Sequence, residues 1–309
     1  MNYQNSDCVS FLKTLEDKSI DSILIDPPYY RVVNDGWDNQ WFTVEEYYSW
    51  CREWISELSR VAKNSASFWI FGFPMQLTDI IPDIKKAGFT FRQQVVVHKG
   101  LQAVAGRTSN NLKMFPTATE SIFYYHKESR DLIRDLLQSE KDRLNLTGKD
   151  INRILGKAET GGGTFSCIAS KKKPLEHRVY PTREDWERLS SVMTLPNYDD
   201  TVYKFNIQPG LTDVWSDINF YDRNEGKKFH STQKPIPLME RLVLSSTDEG
   251  DTVLDIFGGS GSTGVACKRL NRNFVGCEID VKYYELSKER IENTQPVVTK
   301  DKCGLFELF

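Results

Sequence analysis

Hydrophobic and polar positions along the chain change period several times, and each change marks an element. SIDSILID packs apolar residues nearly continuously over a strand's length, and TVEEYYSWCREWISELSRVAK follows with Trp50, Trp54, Ile55, Leu58 and Val61 at helical spacing. Thr43 and Glu46 stand three apart at its start, the spacing of a capping box. SASFWIFGF reads as a second strand, IIPDIKKAGF as a short helix closed by Gly88, and FRQQVVVHK and ESIFYYHK as two more strands. The βαβ rhythm predicts an α/β fold with a parallel-type sheet covered by helices.

The rhythm breaks between Glu128 and Asn197. A strongly charged helical stretch, SRDLIRDLLQSEKDRLN, leads into DINRILG, a glycine-rich bend, the run Lys171, Lys172, Lys173, and PTREDWERLSSVM. Three parts are therefore expected: residues 1–127, an inserted and mainly helical region over 128–200, and residues 201–309. In the last part PIPLMERLVLSST reads as a helix. DTVLDIF is a strand, TGVACKRLN a helix, NFVGCEID a strand and VKYYELSKERIEN a helix.

Composition narrows the class. Of the 309 residues, 39% are hydrophobic and 27% charged, as in a soluble globular protein. The formal net charge of −3 gives no global basic signature, so a nucleic-acid surface has to be local. The opening MNYQNSDCVSF lacks a basic segment followed by an apolar core, and no apolar stretch approaches a bilayer span. A cytoplasmic protein with no membrane association is expected. The six cysteines are scattered, with no Cys-x-x-Cys, so reduced thiols are expected and no metal site.

Two short motifs carry chemistry. FGGSGSTG places Gly259, Gly261 and Gly264 in a G-x-G-x-x-G between a strand and a helix, with Glu278 closing the next strand. That arrangement suits an adenosine-bearing cofactor with a negative end, either NAD or S-adenosyl-L-methionine. Asp26-Pro27-Pro28-Tyr29 ends the first apolar strand, where open α/β sheets bind ligands. An exocyclic base amine is a poor nucleophile because its lone pair is delocalised. The Asp26 carboxylate and the Pro27 carbonyl could accept its two N–H groups, and Tyr29 could stack on a base drawn from the duplex.

DPPY early, HSTQKP at 230–235 and DIFGGSGSTG last resemble, in that order, the beta class of DNA amino-methyltransferases. The resemblance covers nearly the whole chain. It implies a doubly wound, mostly parallel, Rossmann-like methyltransferase sheet, circularly permuted, with 128–200 as the target-recognition region. The implied activity is methyl transfer from S-adenosyl-L-methionine to adenine N6 in double-stranded DNA. Cytosine N4 is the alternative, and a non-catalytic DNA-binding relative a more distant one. Asp26, Pro27, Pro28 and Tyr29 are the implied catalytic residues. Asp7, Cys8, Thr232, Gln233, Lys234, Asp255, Phe257, Gly259, Gly261 and Glu278 are the implied cofactor residues. Thr232, Gln233 and Lys234 are expected near the methionine end. Lys99, Arg107, Lys113 and Lys171–Lys173 are candidates for phosphate contact. Trp37 and Trp41 belong to a loop that closes over the flipped base, enters the duplex or anchors itself in the core. The class admits a homodimer and a cognate restriction endonuclease as partners.

Overall fold

The computed structural model describes residues 1–30, 40–105, 113, 115–159, 163–206, 210–222, 229 and 233–297, without the side chains of 74–76. Arg107, Thr232 and Trp37 lie outside the described residues.

Eight strands form one sheet: β1 (Asn2–Asn5), β2 (Ile20–Ile25), β3 (Ala62–Phe71), β4 (Phe89–His98), β5 (Thr119–Lys127), β6 (Val214–Trp215), β7 (Thr252–Asp255) and β8 (Asn273–Glu278). Their spatial order is β1-β8-β7-β2-β3-β5-β4-β6. β1, β8, β7, β2 and β3 run parallel, whereas β5 pairs antiparallel with β3, Ser67 opposite His126 and Phe71 opposite Ile122. The helices are α1 (Cys8–Lys13), α2 (Val44–Val61), α3 (Pro74–Lys86), α4 (Arg130–Arg143), α5 (Gly148–Ile154), α6 (Thr164–Ala169), α7 (Arg183–Ser190), α8 (Ile236–Ser246), α9 (Ser262–Arg269) and α10 (Val281–Asn293).

The near-continuous apolar run of β2 follows from burial on both faces. Ile23 and Ile25 pack with Phe11, Trp54, Leu58 and Ile84 of α1, α2 and α3. Leu24, between them, points the other way and packs with Leu238, Leu242, Ala266 and Ile291 of α8, α9 and α10. The sheet is thus wound on both sides. The capping box of α2 is formed: Thr43 Oγ1 accepts from Glu46 N–H at 3.2 Å, and Glu46 accepts from Thr43 N–H at 3.3 Å.

The chain packs as two compact units, residues 1–62, 66–126 and 204–309 in one and residues 63–65 with 127–203 in the other. The second unit has its own core, in which Ile133 and Leu137 of α4 meet Ile151, Phe165, Trp186 and Leu189 of α5, α6 and α7.

From β7 the chain moves outward to β8, and from β2 it moves outward to β3, in opposite directions. The β7–β2 junction is therefore the point where the winding reverses, the place where such sheets open a crevice at the carboxyl ends of their strands. Asp255, the last residue of β7, and Asp26, the first after β2, emerge there side by side. β7 also pairs with β8, Asp255 opposite Gly276, and a Cβ added to Gly276 would stand 2.4 Å from the Asp255 carbonyl oxygen. A backbone oxygen cannot yield as a side-chain tip does. Gly276→Ala is expected to cost about 1–3 kcal/mol of stability, read as a lower urea midpoint at unchanged slope.

Candidate active site

At the β7–β2 crevice lies a cavity of about 680 Å³, within the first unit. Both motifs line it: Asp26, Pro27, Pro28 and Tyr29 on one side, and Asp255, Phe257 and Gly259 on the other. Asp7, Cys8, Gln233, Lys234 and Glu278 also line it. Asp7 and Cys8 reach it because β1 lies parallel to β8, Asn5 opposite Glu278, bringing the first residues of the chain beside the last strands.

The glycine loop is built around Glu278. Its carboxylate accepts from Gly259 N–H at 2.6 Å and from Asp280 N–H at 2.8 Å. Burial raises the Glu278 pKa more than these two bonds lower it. Gly261, at φ +73°, caps α9 in a left-handed conformation that a side chain would strain. It is not among the residues that line the cavity, so it shapes the loop from behind. Ser262 Oγ donates to the Lys234 carbonyl at 2.8 Å, tying the QKP segment to the loop. Phe257 packs its ring at 5.7 Å from Trp50 and 5.9 Å from Trp54 on α2. Trp41 joins the same cluster, 4.7 Å from Trp50, which makes it a core anchor.

Asp255 is 5% exposed and accepts from Thr263 Oγ1 at 2.5 Å and from Phe257 N–H at 3.0 Å. Burial, reinforced by Asp26 and Glu278 nearby, outweighs those bonds and pushes its pKa up to about 7. Asp7 caps α1 by accepting from Ser10 N–H at 2.9 Å, and such backbone bonds outweigh its partial burial and lower its pKa.

On the DPPY side, the Tyr29 hydroxyl donates to Asp26 Oδ1 at 2.8 Å. Burial first, and Asp26 second, push the Tyr29 pKa well up, so the phenol keeps its proton. The Tyr29 ring lies 5.6 Å from that of Phe73, tilted by 59°. The Pro28 carbonyl is occupied by the Tyr47 hydroxyl at 3.0 Å, whereas the Pro27 carbonyl has no hydrogen-bond partner among the described residues. Lys234 Nζ stands 2.9 Å from Asp26 Oδ2, so the ammonium expected at the cofactor end reaches the DPPY acid. Lys99, expected at a phosphate, lines the cavity and pairs with Glu120 at 3.0 Å. Lys113 is exposed.

In the second unit Lys171 and Lys172 are exposed, Lys171 lying 3.9 Å from Asp142, and Lys173 donates to Cys167 Sγ. The arginines there are committed to acids of the same unit, as in Arg130–Glu128, Arg143–Glu140 and Arg188–Glu184. The lysine run is the less neutralised cationic feature.

The sequence reading missed Glu120, Tyr283 and Phe220 as lining residues. Glu120 left one signal, an acid at the start of an otherwise apolar strand.

The sequence model of the DNA methylase family, the N6/N4 enzymes, matches residues 20–289. The chain belongs to that family. It is 25% identical to the Type II methyltransferase M2.MboI of Moraxella bovis, over 97% of this chain and 90% of that protein. It is also 25% identical to the Type II methyltransferase M.HinfI of Haemophilus influenzae, over 94% of this chain and 68% of that one. The solved M1.HpyAVI–SAM complex shares the fold, with a TM-score of 0.56 and 19% identity over 94% of this chain and 98% of that one.

The cofactor of this DNA methyltransferase is S-adenosyl-L-methionine, and the residues present fit it. Asp7, Asp26, Glu120 and Glu278, with Asp255 as a further carboxyl group, bring an excess of acid to the lining against the ammoniums of Lys99 and Lys234. Such a cavity favours a ligand with a sulfonium and an ammonium and disfavours the pyrophosphate of NAD. Gln233 Oε1 is buried with no hydrogen-bond partner among the described residues, an acceptor for a ligand's donor. No described helix is long and apolar enough to cross a membrane.

The raised Asp255 pKa has a thermodynamic consequence. Between about pH 4 and pH 7 the folded protein holds a proton here that the unfolded chain, with an ordinary value of 3.8, has released. Acid therefore favours folding, and this group's contribution falls as pH rises to about 7. Relative to Asp255→Asn, the wild type is expected to lose about 1–3 kcal/mol between about pH 5 and pH 8 in urea unfolding.

Proposed function

We propose that the protein methylates the exocyclic N6 amine of adenine in double-stranded DNA, with the base flipped into the cavity. The observation that carries this reading is the meeting of Asp26 and the glycine loop at one crevice, with the Pro27 carbonyl open as a second acceptor. An acid in the first position of DPPY favours adenine over cytosine. Bound S-adenosyl-L-methionine supplies a methyl group made electrophilic by its sulfonium.

The chain's own residues do the rest by placement. Asp26 accepts one N–H of the target amine and the Pro27 carbonyl the other, so electron density returns to the nitrogen. Tyr29 and Phe73 offer aromatic faces to the flipped base. Glu278 takes the ribose hydroxyls, Asp7 the adenine amine of the cofactor, and Gln233 its methionine end. Phe257, held by Trp50 and Trp54, walls the pocket. Residues 128–200 read the target, with Lys171–Lys173 on phosphates.

Pure protein incubated with unmethylated DNA and tritiated cofactor is expected to place label in N6-methyladenine, and Asp26→Ala to lower it by about 100-fold or more. Label in N4-methylcytosine alone would make this a cytosine enzyme. Full transfer by Asp26→Ala would remove the role given to Asp26.

A further inference from the structure

Lys234 stands in a row of four charged side chains drawn from four separate segments. Its ammonium is 2.9 Å from Asp26 Oδ2 and 3.8 Å from Glu120 Oε1. Lys99, just after β4, adds a second cation to Glu120 at 3.0 Å. The signs alternate along the row, and the four charges sum to zero. Lys234 is 9% exposed and lies 4.9 Å from the centre of the Phe71 ring. Burial pushes the Lys234 pKa down, but Asp26 and Glu120 outweigh it and hold the value above that of an ordinary lysine.

An isolated carboxylate rotates freely about its last bond, and one partner fixes only one oxygen. Asp26 has a partner on each, the Tyr29 hydroxyl on Oδ1 and Lys234 on Oδ2. The plane of the carboxylate is thereby set. Each oxygen keeps a lone pair free to accept an N–H from a substrate amine.

We propose that Lys234 is a positioning residue for methyl transfer: anchored by Glu120, it fixes the orientation of the Asp26 carboxylate that receives the target amine. This rests on the reading that Asp26 accepts from that amine. It assigns Lys234 to the base side of the site, and it gives Glu120, which belongs to neither motif, a task.

The test compares Lys234→Met, Glu120→Gln and the double variant by single-turnover methyl transfer, with cofactor affinity measured by calorimetry. Lys234→Met is expected to slow transfer at saturating cofactor about tenfold or more, with cofactor Kd within about threefold of wild type. Glu120→Gln is expected to slow the wild type about threefold and to add nothing in the Lys234→Met background, because it acts through Lys234. A cofactor Kd raised about tenfold with the saturated rate intact would return Lys234 to the cofactor and overturn the proposal. Equal losses from Glu120→Gln in both backgrounds would overturn it too. If Lys234→Met fails to fold, Glu120→Gln decides alone, and an unchanged rate overturns the proposal. Asp26→Ala run alongside separates the two readings. Full activity there removes the role of Asp26 itself, whereas loss there with normal Lys234→Met and Glu120→Gln rates removes only this inference.

Discussion

The structure depends on one pairing, the parallel contact of β2 with β7. Ser22 lies opposite Val253 and Ile23 opposite Leu254, and the Asp21 carboxylate accepts from Thr252 N–H at 2.9 Å. These strands are more than two hundred residues apart in the chain, so closing the loop between them is costly. The return is a continuous sheet whose apolar residues are covered on both faces. It also sets two carboxyl ends side by side where the winding reverses, which is what opens the crevice. Without that pairing DPPY and the glycine loop would be two unrelated turns.

Around the crevice, charge follows a consistent logic. Burying carboxylates is unfavourable unless each finds donors. Glu278 and Asp255 take backbone N–H groups and a threonine hydroxyl, and Asp26 takes a phenol and an ammonium. The excess of acid is what a cationic cofactor compensates when it binds. Aromatic packing does the complementary work, since Trp41, Trp50, Trp54 and Phe257 form a wall that fixes the loop by ring contacts. The second unit uses its charges differently. Its arginines close ion pairs on its own helices, mostly at partly exposed positions where each contributes little. Its core is separate from that of the sheet.

Most strands and helices of the α/β parts were legible in the sequence, because burial on both faces gives β2 its unbroken apolar run and one-sided burial gives α2 its 3.6-residue period; β1, α1 and β6, at four, six and two residues, are too short to show a period. DPPY and the glycine loop were legible as chemistry for the same local reason: prolines and glycines restrict or free the backbone at fixed positions. Other features were not. β5 runs antiparallel, and nothing in TESIFYYHK encodes a direction, since strand direction is settled by where the chain re-enters the sheet. The partners of Lys234 and Lys99 were not legible either: both ammoniums rest on carboxylates of the cavity they line. A lysine carries its charge on a long flexible stem, so its position in sequence says little about its partner.

The sequence by itself determined most of the elements, the two motifs and the family, because these rest on local backbone preference and on the order of short segments. Only the tertiary structure decided which groups meet. Asp26, Glu120, Lys234 and Asp255 are distant in the chain. Their contacts and orientations come from one another, and they meet only when the sheet closes.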